Sequence, residues 1–124
     1  MLRKLAVYGA LALMVGFAVF FWFNVFSGNS IRLDEAQSMF QTNRDVGGIL
    51  YLVAQDVHVP FYHIILHFWL LIFGQDLLVA RILSLLFFIG TILVTYVTAT
   101  YAFKRKSIGL FAALLVTLSP FMNW

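Results

Sequence analysis

Residues 5–26 form a long apolar run without a single charged side chain. As a helix rising 1.5 Å per residue, it is about 33 Å long, enough for a hydrocarbon core of roughly 30 Å. Arg3 and Lys4 precede it, as they would in a secretory signal. The run exceeds the usual apolar region of about 7–15 residues, and no small-x-small cleavage pattern follows it. The run is therefore expected to be an uncleaved first transmembrane helix. Composition agrees: of the 124 residues, 63% are hydrophobic and 10% charged. Soluble domains run near 45–50% apolar and about 25% charged.

Two further runs have spanning character, residues 77–103, interrupted only by Arg81, and residues 108–124. A fourth, residues 61–73, starts after Pro60 and stops at Gly74; as a helix it reaches roughly 20 Å, too short to cross. Basic clusters stay in the cytoplasm, and the chain has two, Arg3 and Lys4, and Lys104, Arg105 and Lys106. Both lie inside only if residues 61–73 do not cross. The expectation is an all-α membrane protein with about three transmembrane helices, at 5–26, 77–103 and 108–124. Its N-terminus is cytoplasmic, and residues 27–76 form an external loop with two juxtamembrane surface helices, 34–44 and 60–73. In the first of these, Leu33, Ala36, Met39 and Phe40 recur at helical spacing, with Gln37, Ser38, Gln41 and Thr42 between them. That pattern suits a helix lying along the membrane. Gly47 and Gly48 are expected to break it. The net charge of +3 is spread over short flanks, which excludes a nucleic-acid-binding stripe. The chain has no Cys, so disulfides and thiolate metal sites are excluded.

The loop holds most of the residue types that carry chemistry, and each has a plain alternative. Asp34 and Glu35 follow the first span closely. Carboxylates held at a membrane surface suit chemistry on a lipid-linked substrate, with Asp34 as a general base. Asp34 equally fits an N-cap, with Gln37 completing a capping box, and Glu35 fits the positive end of the same helix. Asp56 and His58 share one side of an extended stretch before Pro60; they are a polar loop or a contact to phosphate or acceptor. His63 and His67 share a helix face, for packing beside Trp69 or for a metal. Arg81 either snorkels to headgroups or faces inward and holds a lipid phosphate. Anionic headgroups suffice as partners for Arg32 and Arg44.

The order of several short motifs resembles integral-membrane glycosyltransferases of the GT-C class, in the protein mannosyltransferase and aminoarabinose transferase type families. The resemblance is carried by Leu33, Asp34, Glu35 and Ala36, by the stretch from Asp56 to Tyr62, and by His67, Phe68, Trp69 and Leu70 leading to Phe73 and Gly74. It continues through Leu78, Val79, Ala80 and Arg81 to Leu118, Ser119, Pro120 and Phe121. It implies transfer of a sugar from a polyprenyl-phosphate donor to a hydroxyl of a glycan, lipid or protein acceptor on the extracytoplasmic side of the cell membrane, with inversion. Asp34 would be the catalytic carboxylate with Glu35 beside it. His58, Arg81 and Arg32 would meet the donor phosphate, and Asp56 the acceptor or the loop. The family often has His-Pro-Pro where this chain has His58, Val59 and Pro60. No cofactor is required by this residue set, and a divalent metal requirement stays open. Enzymes of this class have many more spans, so the chain is expected to be a truncated piece of one. The alternative is a small non-enzymatic membrane subunit or assembly factor. A transporter fragment ranks last, because the acids lie in the loop and no charge lies mid-span.

Overall fold

The computed structural model describes residues 2–26, 31, 33–55 and 60–119. Arg32, Asp56, His58 and residues 120–124 lie outside the described residues. Among the described residues the chain is all-helical: α1 (Leu2–Phe26), α2 (Leu33–Thr42), α3 (Val46–Ala54), α4 (Pro60–Phe73), α5 (Leu77–Phe103) and α6 (Lys106–Thr117). Among the described residues two segments are long and apolar enough to cross a membrane, Leu5–Asn24 and Leu77–Phe103. The expected third span, 108–124, meets α6, which begins at Lys106 and has 12 residues. That length gives about 18 Å, short of a crossing.

The chain divides into two compact units, residues 30–84 and the remainder. In the second unit Leu11 and Ala18 of α1, Ile92 of α5 and Ala113 of α6 form a buried cluster. Gly109, Ala113 and Thr117 of α6 are all buried and lie four residues apart, so they share one face. A Cβ at Gly109 would lie 2.8 Å from the Tyr96 carbonyl oxygen and would collide with Thr100 Oγ1. Only glycine lets the two backbones approach this closely, as at small-residue contacts between membrane helices. Lys104 closes α5 in the left-handed region, with φ 51°.

In the unit of residues 30–84, α4 is the centre. Leu66 and Leu70 pack with Ala80 and Leu83 at the start of α5. Gly74, at φ 108°, ends α4, and its N–H donates to the Leu70 carbonyl at 3.0 Å. Pro60 opens α4, where a missing N–H costs nothing. The expected break at Gly47 and Gly48 is corrected: both glycines lie in the first turn of α3, a helix the glycine pair concealed. Asp45 caps it, accepting from the Gly48 N–H at 3.3 Å. The cap outweighs the low helix propensity of two glycines, and the break falls instead at residues 43–45.

The burial of α2 departs from its hydropathy pattern. Gln41 and Thr42 are buried, at 7% and 2% exposure, and Glu35 and Ser38 are partly buried. Leu33 and Phe40 are 88% and 61% exposed, and Ala36 is exposed with them. The helix thus buries Gln41 and Thr42 and exposes Leu33, Ala36 and Phe40, while Met39 is partly buried and Asp34 and Gln37 are exposed.

Candidate catalytic loop

The acidic pair sits in the first turn of α2, where the helix N-terminus favours negative charge. The helix begins at Leu33, so Asp34 lies inside the turn and is not its N-cap; the capping-box reading is corrected. Glu35 turns into the protein and meets Arg81 of α5 through two parallel bonds. Arg81 Nε donates to Oε1 at 2.7 Å and Nη2 donates to Oε2 at 2.8 Å. The side chains are 7% exposed for Arg81 and 18% for Glu35. This fork geometry fixes direction as well as charge, which a lysine at the same place would not do. Arg81 faces inward, and the partner observed there is Glu35 and not the phosphate expected of the inward reading.

Residues on either side of Arg81 are held by aromatic side chains of α4. Trp69 Nε1 donates to the Val79 carbonyl at 2.9 Å, and the Tyr62 hydroxyl lies 3.0 Å from Ser84 Oγ. The far end of α2 is also tied down. The carbonyl of Thr42, one of the last four left unbonded by the helix, lies 2.9 Å from His67 Nδ1. Thr42 Oγ1 donates back to the Ser38 carbonyl at 2.8 Å. So α2 is clamped at both ends, by Glu35 to α5 and by Thr42 to α4. Asp34, one residue before Glu35 and about 100° around the helix from it, stays exposed.

His67 therefore has a structural use, and its neighbour His63 is buried edge-on to the Tyr62 ring at 5.8 Å. Among the described residues no group of three or more His, Cys, Asp or Glu side chains gathers as a metal cluster would. Arg44 sits over the Phe40 ring, 5.1 Å from its centroid. Of the expected site residues, the structure brings Glu35 and Arg81 together and leaves Asp34 beside them at the surface. Arg32, Asp56 and His58 fall outside the described residues. Thr42, Tyr62, Trp69 and Ser84 were not anticipated as supports. For Thr42 the signal was present, since it lies seven residues after Glu35 and so on the same helix face. No protein-family model, no curated protein and no solved structure matches this chain.

Proposed function

We propose that the chain carries the first catalytic loop of a membrane glycosyltransferase that uses a polyprenyl-phosphate sugar donor. The observation that carries the reading is the Glu35–Arg81 fork. It joins two segments that bear the family resemblance, Leu33 to Ala36 and Leu78 to Arg81, across 46 residues of sequence. The membrane part of the reading is supported by the two long apolar helices, whose most apolar windows are only 6% and 22% buried. The core helix of a soluble protein hides most of its apolar surface; these two leave it for an apolar surrounding. In this reading α1 and α5 cross the cell membrane, and residues 27–76 lie on the extracytoplasmic side.

The chemistry asks for little covalent work from the protein. The acceptor hydroxyl attacks the anomeric carbon, its proton passes to the Asp34 carboxylate, and the bond to the phosphate oxygen breaks with the electron pair leaving on phosphate. One displacement inverts the anomeric centre. Arg81 serves as a positioning residue that orders the first turn of α2 through Glu35, so that Asp34 is presented from a fixed backbone. His58 and Arg32 are the residues assigned to the departing phosphate.

Asp34→Asn keeps the size and hydrogen-bonding reach of the side chain and removes the base. Positioned proton transfer contributes about 10²–10⁴-fold, so transfer should fall by that order while membrane insertion and thermal stability stay unchanged. The assay is transfer of radiolabelled sugar from a polyprenyl-phosphate donor by membranes holding the full-length protein. Near-normal transfer by Asp34→Asn would remove Asp34 from this role, and an insertion-competent chain without any transfer activity would favour a non-enzymatic subunit.

A further inference from the structure

The chain partitions its charges. The unit formed by residues 1–29 and 85–124 carries Arg3, Lys4, Lys104, Arg105 and Lys106 and no acidic side chain. The acids Asp34, Glu35, Asp45, Asp56 and Asp76 all belong to the unit of residues 30–84. Lys104, Arg105 and Lys106 stand in a row at the turn from α5 to α6, and all three are exposed. Orientation in a membrane needs only an excess of positive charge near a span and is indifferent to backbone conformation. The conformation of this turn is costly. Lys104 sits at φ 51°, in the left-handed region, where a Cβ is strained and glycine is not. The end of α4 shows the usual solution, Gly74 at φ 108°. At the end of α5 the same task falls to a lysine. A strained residue that glycine could replace points to a use for its side chain.

We infer that the α5–α6 turn is a binding site for the phosphate of an anionic phospholipid in the cytoplasmic leaflet, and that Lys104 keeps its left-handed conformation for that contact. The side chains suit a phosphate: a guanidinium meets two oxygens at once, and ammonium groups add point charges. The turn follows directly on Phe103, the last residue of an apolar helix. With α5 across the membrane, it falls where the hydrocarbon ends and the phosphates begin. Phosphatidylglycerol presents its phosphate without a cation. Phosphatidylcholine sets a quaternary ammonium beside the phosphate, which the cations of the turn repel. The binding rests on the membrane part of the reading above and is independent of the transfer reaction.

The test sets lipid preference against stability. The full chain in detergent is mixed with equal amounts of phosphatidylglycerol and phosphatidylcholine, and the retained lipids are counted by native mass spectrometry. The parent should retain phosphatidylglycerol in excess. Lys104→Gly removes one charge and relieves the backbone. Its preference should fall about fivefold, the contribution of one basic residue at an anionic surface. Its thermal stability should be kept or raised. A Lys104→Gly chain that keeps the preference overturns the inference. So does one that melts below the parent, since contacts would then be holding Lys104 in place. Arg44→Gln, in the other unit, should leave the preference unchanged; an equal drop there would reduce the effect to net charge and overturn the site. Displacement of phosphatidylglycerol by inorganic phosphate alone would make a soluble phosphate the occupant and overturn the lipid. A bimane label at Val94→Cys, exposed on α5, tests the membrane reading separately, by quenching in vesicles with brominated acyl chains. Quenching at Val94 without a phosphatidylglycerol preference overturns the binding alone; no quenching removes the spanning helix with it.

Discussion

A guanidinium that places Nε and Nη2 on the two oxygens of one carboxylate tolerates little replacement. Arg81→Ala removes both bonds of the fork from Glu35 in a mostly enclosed place, a change worth about 3–5 kcal/mol when a buried pair is broken. Arg81→Lys keeps the charge and loses the fork, so its loss should be smaller. Replacing both partners, Glu35→Gln with Arg81→Met, should recover much of the single-variant loss, because no isolated charge remains. Thermal unfolding in detergent should therefore rank the parent first, then the double variant and Arg81→Lys, and Arg81→Ala last. An Arg81→Ala chain that melts with the parent would show that the fork is dispensable for folding. In such variants a drop in transfer without a change in stability would separate ordering of Asp34 from support of the fold.

At the level of helices, the contrast between glycines is informative. Gly16 of α1 and Gly90 of α5 have open space where a Cβ would go. Gly109 of α6 faces the Tyr96 carbonyl and Thr100 at a distance no side chain permits. Gly109→Ala should force α5 and α6 apart and cost about 1–3 kcal/mol, as overfilled contacts do. Gly16→Ala should gain up to about 1 kcal/mol from helix propensity alone. Differential scanning calorimetry of the two variants in one detergent gives the comparison; a Gly109→Ala transition at or above that of Gly16→Ala would refute the close contact. The same contrast applies to Gly47 and Gly48, where glycine signalled no break. Asp45 supplies the cap, and a Cβ at Gly48 would crowd its Oδ1 at 2.9 Å.

For the chain as a whole, length and charge made the two long helices and the Pro60 to Gly74 helix legible, because those signals depend on local sequence alone. The inward face of α2 was not legible. Hydropathy patterning marks Leu33, Ala36, Met39 and Phe40 as one face, but which side meets protein is decided by partners 25 to 46 residues away, His67 and Arg81. Of the site, the residue types were visible and their pairing was not: Glu35 and Arg81 carried separate roles in the sequence and share one in the structure. The topology can be checked directly. Asn43 and Lys106 are both exposed, and single cysteines there should react with an impermeant maleimide from opposite sides of the membrane. Reaction of both from the same side would contradict a single crossing by α5 and with it the proposed placement of the loop.

The bond between residues 35 and 81 also imposes an order on biosynthesis. While a nascent chain is shorter than 81 residues, Glu35 in the first turn of α2 cannot yet make its two bonds to Arg81, so the fork forms only after α5 has begun to emerge. The stretch from α2 to the start of α5 is thus fastened backwards, its first turn joined to its last residues. A ribosome pausing within residues 60–80 would prolong the interval before the fork can form.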